Sequence, residues 1–276
     1  MNSSVFQIYI DKWRLTPRSK RLETHSSCLY WCQQNDQNCV LKIYKAHSDE
    51  AAAAELLRHY GGKGAVKLLA ADGHACLLEQ VGDGKELVEL VRDGRDIEAL
   101  DIYCDVVQKL HAAPPVNIGL KHIDEFIVDF DAYLAKHKNV ERELVEKARH
   151  IFAVLAASQG QKVNLHGDLH HYNILQANDG QWLAIDPKGY WGEAEYDLAA
   201  YLRNPILEKS ALLATQLSKQ AMNLRVEHMA MQLGYDLQRV RKWAFCQAIL
   251  AAIWADGHEE FSPLMLKVAH IFNDKL

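Results

Sequence analysis

The sequence lacks any apolar run long enough to span a membrane. The longest, residues 248–255, falls far short of the roughly 18 residues that a spanning helix needs. It also lacks a CxxC pair. The 6 cysteines of this 276-residue chain (Cys28, Cys32, Cys39, Cys76, Cys104 and Cys246) are scattered, which suits buried thiols in a reducing compartment and not a disulfide frame. Cys28, Cys32 and Cys39 find no fourth ligand at zinc-finger spacing. No stretch is densely basic. Lys plus Arg is 31 and Asp plus Glu is 36, a formal net charge of −5. Sequence-independent binding to nucleic acid needs clustered cations to displace counterions, so that partner class is not expected. The opening residues, MNSSVFQIYIDKWRL, do not follow the basic-then-apolar order of a secretory leader. A cytoplasmic protein without a membrane partner is the expectation. Internal repeats, low-complexity tracts and long linkers are absent as well.

What is present divides into two halves. Residues 28–33 (CLYWCQ) and 39–44 (CVLKIY) alternate like strands on either side of a polar stretch, 34–38. That is a hairpin signal. Residues 49–60 are rich in Ala, Leu and Glu and read as a helix stopped by Gly61-Gly62. Residues 66–69 and 75–78 pair across Asp72-Gly73. Beyond about Asp83 the period changes. Leu100, Tyr103, Val106, Val107 and Leu110 recur at helical spacing, as do Leu144, Ala148, Ile151, Phe152 and Leu155. Helical patterns cover roughly 209–233 and 236–255. One short β island interrupts them, with 174–176 and 182–185 flanking Asn178-Asp179-Gly180. The expected division is a β-rich lobe over 1–82 and a larger helical lobe over 83–276, an α+β architecture.

The β island concentrates the chemistry. It reads LHGDLHHYNIL over 165–175, then Ile185-Asp186-Pro187. A turn between short strands would hold Asp168, Asn173 and Asp186 at one end of that hairpin. Two carboxylates and an amide oxygen are hard ligands suited to Mg²⁺ with phosphates. A carboxylate near a substrate hydroxyl can orient it and accept its proton. In the first half, Lys42 sits mid-strand among apolar neighbours, with Glu50 and Glu55 on the following helix as candidate partners. Lysine, glutamate, Asp, Asn and Asp, in that order, match the phosphoryl-transfer template.

On these residues the chain resembles the aminoglycoside phosphotransferases. HGDLHHYNIL…WLAIDPKG carries the resemblance, and it is nearest the branch of streptomycin 6-kinases and hydroxyurea kinases. GKGAVKLL at 62–69, LLE at 77–79 and AIWADG at 252–257 agree with that branch. The resemblance spans roughly residues 20–260 and implies a bilobal protein-kinase-like fold that binds ATP between the lobes. By position it implies that Asp168 is the catalytic base or hydroxyl-orienting residue, and that Asn173 and Asp186 bind Mg²⁺. Lys42 would hold ATP phosphates, with Glu50 as its partner. Glu79 to Val81 would meet adenine through backbone groups. Ser26 and Ser27, in the Thr24-His25-Ser26-Ser27 stretch, would contact phosphate. No glycine-rich GxGxxG loop precedes Lys42, so that assignment rests on position.

Other residues stay open between two roles. His166 is expected to brace the catalytic loop, and Asp197 to tie it from below. Gly61-Gly62-Lys63-Gly64 is not GxxxxGK[ST] and reads as a helix stop. Trp254, Asp256, Glu259 and Glu260, with Glu193 and Glu195, either contact a cationic acceptor by charge complementarity or are ordinary surface groups. The expected activity is ATP- and Mg²⁺-dependent phosphorylation of a hydroxyl on a streptomycin-like aminoglycoside or hydroxyurea. A metabolic sugar or amino-alcohol kinase, or a nucleotide-binding module without turnover, are the alternatives.

Overall fold

Alternation of apolar residues builds an antiparallel sheet in the first third of the chain. The computed structural model describes residues 3–24, 26–45, 51–136, 139–206, 208 and 210–276. Among them, β1 (Thr16–Glu23), β2 (Ser27–Gln34), β3 (Gln37–Tyr44), β4 (Leu68–Ala71) and β5 (Ala75–Glu79) form one sheet in the order β1-β2-β3-β5-β4. Register follows the pattern. In β3, Cys39, Leu41 and Ile43 point to one buried face while Val40 and Lys42 point to the other. Lys42 pairs with Leu29 on one side and Cys76 on the other, in the middle of the sheet.

The outer face is covered by α1 (Ser3–Trp13), whose Phe6, Tyr9, Ile10 and Trp13 pack on Cys32, Cys39, Leu41, Ile43 and Leu77. Helix α2 (Ala51–Tyr60) lies on the other side and joins the main core through Leu56, Leu57 and Tyr60.

The rest is mainly helical. Helices α3 (Val88–Arg92), α4 (Asp96–His111), α5 (Ile127–Leu134), α6 (Arg142–Ala157), α7 (Leu198–Leu202), α8 (Ser210–Gln216), α9 (Lys219–Leu233), α10 (Leu237–Trp254) and α11 (Phe261–Asn273) follow in order. Helix α10 is buried almost all round from Val240 to Ile253, against α6, α7, α9 and α11. A helix apolar on every side belongs at the centre of a core. The single helical pattern expected over 209–233 is two helices. Ser218 breaks it by capping α9, its hydroxyl accepting from the Ala221 N–H at 3.2 Å.

Short strands sit at the junction of the two regions. They are β6 (Lys121–His122), β7 (Lys162–Leu165), β8 (Ile174–Gln176), β9 (Trp182–Ala184) and β10 (Tyr190–Glu193). The β8–β9 hairpin is gripped on both sides. Val66 N–H donates to Ala184 O at 2.8 Å, and Ala184 N–H to Gly64 O at 2.8 Å. Leu87 N–H donates to Ile174 O, and Gln176 N–H to Lys85 O, each at 2.9 Å. The hairpin bearing Asn173 and Asp186 is thus fixed to the chain entering and leaving the connector. Among the described residues, no helix is long and apolar enough to cross a membrane. All six cysteines are buried, and none is in a disulfide among the described residues.

Gly82 lies in this connector with φ 44°, and a Cβ there would run into the Gln176 carbonyl oxygen. Gly82→Ala is expected to cost about 1–3 kcal/mol through a clash that the hairpin cannot relieve. Gly73→Ala, also at positive φ but with nothing within 4 Å, is the control. Thermal unfolding should give a lower midpoint for Gly82→Ala than for Gly73→Ala. Equal midpoints would mean that the hairpin is not held rigidly against the connector.

Candidate active site

Strand β7 ends at Leu165 and the chain turns at Gly167, whose φ of 83° suits glycine. A Cβ there would press on the Tyr190 ring. Two successive backbone donors then point inward at one carboxylate. His166 N–H reaches Asp197 Oδ2 at 2.9 Å, and Gly167 N–H reaches Oδ1 at 2.7 Å. The His111 ring donates from Nε2 to Oδ2 at 3.1 Å and accepts from the Tyr235 hydroxyl at Nδ1. Burial alone would push the Asp197 carboxyl up. His111, His166 and the Gly167 N–H outweigh it and hold the group below the ordinary carboxylate range. His166 is fully buried. Its Nε2 donates to Ile185 O at 2.9 Å, and its Nδ1 lies 3.3 Å from Asp168 N. It braces the loop to the turn that follows β9, as its place before Asp168 suggests.

Asp168 and Asp186 emerge side by side from this frame. Burial would raise Asp168, but His170, Arg203, Lys188 and His166 keep it lowered. Its Oδ1 is 3.3 Å from Arg203 Nη2. Asn173 donates from Nδ2 to the Asp168 carbonyl at 2.9 Å, and its own carbonyl accepts from Ile185 N–H at 2.9 Å. Asp186 has φ 58°, a left-handed conformation that Asp tolerates better than most residues. Burial would raise it too. Lys42, Lys188 and His166 hold it below its usual value.

Lys42 reaches across from β3 to meet Asp186, with Nζ 2.5 Å from Oδ1. Both line a cleft between the sheet and the helical part. Its apolar walls include Leu29, Val40, Val66, Leu78, Leu175 and Ile185. Glu79 and Val81 line it at the connector, where the Glu79 side chain accepts from Lys67 N–H at 2.8 Å. Ser27 lines it as well, its hydroxyl 3.0 Å from that of Thr24. Ser26 does not reach the wall. Its carbonyl accepts from Lys45 N–H at 2.8 Å. Glu50 lies outside the described residues. Glu55 faces solvent and pairs with Arg58, so it does not serve Lys42.

A second pocket opens on the far side of Asp168. Gly167, Lys188, Tyr190, Tyr196, Arg203, Gln247, Trp254 and Phe261 contribute to its walls. Trp254 is the one expected acceptor residue in that wall. It is exposed, and its Nε1 donates to Asp129 at 3.2 Å. Asp256, Glu259 and Glu260 lie on the exposed turn after α10, outside the lining, and Asp256 accepts from Asn139 at 3.0 Å. Glu193 is a correction. It is fully buried, accepting from Gly160 N–H at 2.6 Å, from Arg239 at 2.8 Å and from the Trp243 indole at 2.5 Å. Its place on the inward face of β10 makes it a brace between β10 and α10, away from any acceptor. Glu195 is nearly buried as well, and burial raises its pKa. Lys188, Tyr190, Tyr196, Arg203 and Gln247 were not anticipated. Only Lys188, two residues past Asp186, and Gln247, a polar residue inside the otherwise apolar run 243–254, leave a signal in the sequence.

The comparisons with known proteins agree with this geometry. A family profile described as aminoglycoside/hydroxyurea antibiotic resistance kinase matches residues 12–258. A streptomycin 3''-kinase of Klebsiella pneumoniae is 31% identical over 251 residues, 90% of this chain and 91% of that protein. A streptomycin 6-kinase of Streptomyces griseus is 28% identical over 94% of this chain and 85% of its own length. A hydroxyurea phosphotransferase of Kitasatospora aureofaciens is 27% identical over 84% and 67%. Among solved structures, an aminoglycoside phosphotransferase in ternary complex with AMP-PNP and hygromycin B superposes with a TM-score of 0.69 at 14% identity, covering 99% of both chains. A choline kinase of Streptococcus pneumoniae gives 0.68 at 14% identity, covering 98% of both. These two fix the fold as protein-kinase-like.

Two measurements check the electrostatics. Glu193→Gln is expected to destabilise the protein by about 1–3 kcal/mol, because it weakens the hydrogen bonds that Gly160, Arg239 and Trp243 make to a fully buried carboxylate. The KM for an acceptor should not change. A raised KM with unchanged stability would return Glu193 to the acceptor site. Burial also lowers the pKa of His166, of His170 (to about 4) and of His171. These groups stay neutral in the fold, whereas the unfolded chain protonates them below about pH 6.5. The unfolded state then binds more protons, so stability is full above that pH and falls as the pH drops towards 4. Urea midpoints should decline between about pH 7 and about pH 5, and a flat profile would contradict the assignment.

Proposed function

The chain belongs to the aminoglycoside/hydroxyurea antibiotic resistance kinases, and we propose that it transfers the γ-phosphoryl group of ATP to a hydroxyl of a streptomycin-like aminoglycoside or of hydroxyurea. One observation carries the reading. Asp168 stands in the wall of one pocket and Asp186 in the wall of the other, so a nucleotide and an acceptor would meet between them. Residues 1–82 serve as the nucleotide lobe and 83–276 as the catalytic and acceptor lobe.

Asp168, held ionised, orients the acceptor hydroxyl and takes its proton as the oxygen attacks the γ-phosphorus. The bond from that phosphorus to the bridging oxygen breaks, and ADP leaves with the electron pair. Lys42 turns from Asp186 to the nucleotide phosphates, with Glu50 as its partner. The apolar walls hold adenine, and backbone groups at Glu79 to Val81 meet its edge. Ser27, in the cleft wall at the β1–β2 turn, approaches phosphate. Trp254 offers the acceptor an aromatic face, and Asp256, Glu259 and Glu260, on the turn outside the lining, add negative charge only along the approach of a cationic acceptor.

The oxygens of Asn173 and Asp186 fit Mg²⁺. That ion is typically bound through one or two carboxylates, with phosphate oxygens and water completing its shell. The Asn173 amide donates through Nδ2 to a backbone carbonyl, which leaves its oxygen free to accept a ligand. Bound there, Mg²⁺ would supply positive charge to the phosphates. Most of the rate then comes from positioning and charge neutralisation.

The test is Mg²⁺-dependent ADP release over a panel of streptomycin, other aminoglycosides, hydroxyurea, sugars and amino alcohols. Streptomycin or hydroxyurea should stimulate release. Asp168→Asn should cut it about 10²–10⁴-fold, with nucleotide affinity largely kept. Stimulation by a sugar or amino alcohol alone would move the role to metabolism. Turnover unchanged in Asp168→Asn would remove Asp168 as the base.

A further inference from the structure

The acceptor pocket carries an excess of positive charge where it meets Asp168. The charged groups in its wall are Asp168, Lys188 and Arg203. A cationic aminoglycoside would be repelled by two cations beside its reacting hydroxyl. Recognition of a cationic acceptor therefore does not account for them.

We propose that Arg203 and Lys188 are the cations that take up the charge of the phosphoryl group, from the acceptor side, as it passes from nucleotide to acceptor. The inference rests on the kinase reading above. In the step described, the new oxygen–phosphorus bond forms at the hydroxyl that Asp168 holds. The phosphoryl group in flight spreads its negative charge over three equatorial oxygens. Groups that stabilise it must stand beside Asp168 before the reaction begins.

Arg203 meets that requirement. Its Nη2 is 3.3 Å from Asp168 Oδ1, long for a charge-assisted bond, for which about 2.7–2.9 Å is usual. Its Nε is buried with no hydrogen-bond partner. The protein's own groups therefore satisfy the guanidinium fork poorly. Its backbone is held firmly, at the C-terminus of α7, where Arg203 N–H donates to Ala199 O at 3.2 Å. The next residue, Asn204, is buried and donates to Ala200 O at 2.8 Å.

Lys188 approaches from the other side. Its backbone N–H is fixed to His166 O at 2.8 Å, and its Cβ lies against Gly167. Among the described residues, its ammonium has no carboxylate within salt-bridge distance. Its charge is felt at both Asp168 and Asp186, which puts it near the line between nucleotide and acceptor.

The experiment compares Arg203→Ala, Arg203→Lys and Lys188→Ala with the wild type on whichever acceptor stimulates turnover. It measures kcat, acceptor KM, nucleotide Kd and thermal midpoint. Arg203→Ala should lose about 10²–10³-fold in kcat, as when one preorganised transition-state donor is removed. Arg203→Lys should keep the charge but lose the fork, and fall between. Lys188→Ala should lose about tenfold or more. Acceptor KM and nucleotide Kd should stay within about threefold of wild type, the pattern of an interaction made only in the transition state. Millimolar guanidinium should restore part of kcat in Arg203→Ala and none in Lys188→Ala.

A kcat near wild type in Arg203→Ala would overturn the inference. So would a loss that comes with weaker nucleotide binding and a lower midpoint and is not rescued by guanidinium, because that is the signature of a structural role. If the wild type itself turns over no acceptor, the kinase reading falls and takes this inference with it. If it turns over and the variants match it, only this inference falls.

Discussion

Asp197 is fully buried, yet its carboxylate stays charged, because two backbone N–H groups and one imidazole converge on it. The N–H groups belong to His166 and Gly167, the two residues before Asp168. Their direction fixes where Asp168 emerges. His166 in turn reaches the carbonyl of Ile185, one residue before Asp186. A single buried acceptor thus sets the positions of both functional carboxylates. A buried charge with fewer partners would carry a desolvation cost of several kcal/mol. Helix α4, which delivers His111 to this carboxylate, and the turn after α9, which brings Tyr235 to His111, are therefore part of the active-site frame, although neither lines the two pockets that meet at Asp168 and Asp186.

The second constraint is the meeting of the two regions. Lys42 comes from the centre of a sheet and Asp186 from the turn after β9, and they join across the cleft. The β8–β9 hairpin between them is held on both edges by the chain entering and leaving the connector. Charges alternate through the site: Lys42, Asp186, Lys188, Asp168, Arg203. Each carboxylate is flanked by cations that keep it ionised despite burial. Such a chain suits the movement of a highly charged group, because the compensating charges are already oriented in a partly dehydrated site.

How much of this was legible depended on whether a residue's partner was near in sequence. The HGDLHHYN segment and the Asp186 turn were readable because the chemistry is packed into two short loops on one hairpin. The alternation around Lys42 announced a strand, and its place in the middle of the sheet came only with the structure. Helix α1 was missed, although Phe6, Tyr9, Ile10 and Trp13 repeat at helical spacing, because its purpose is to cover a sheet face that forms later in the chain. Glu193 was misread because a carboxylate beside a strand gives no hint of an indole fifty residues away on α10. Arg203 left no signal for the same reason. Its meaning comes from Asp168, thirty-five residues earlier.

The most direct test of the account is the identity of the product. Phosphorus NMR of a reaction containing the protein, Mg²⁺, ATP and streptomycin should show ADP and a phosphate monoester in equal amounts, with the streptomycin mass raised by one phosphoryl group. Hydroxyurea is the parallel acceptor. ADP with free inorganic phosphate and unmodified acceptor, in both reactions, would mean that the two pockets do not meet across Asp168 as described, and would contradict the account.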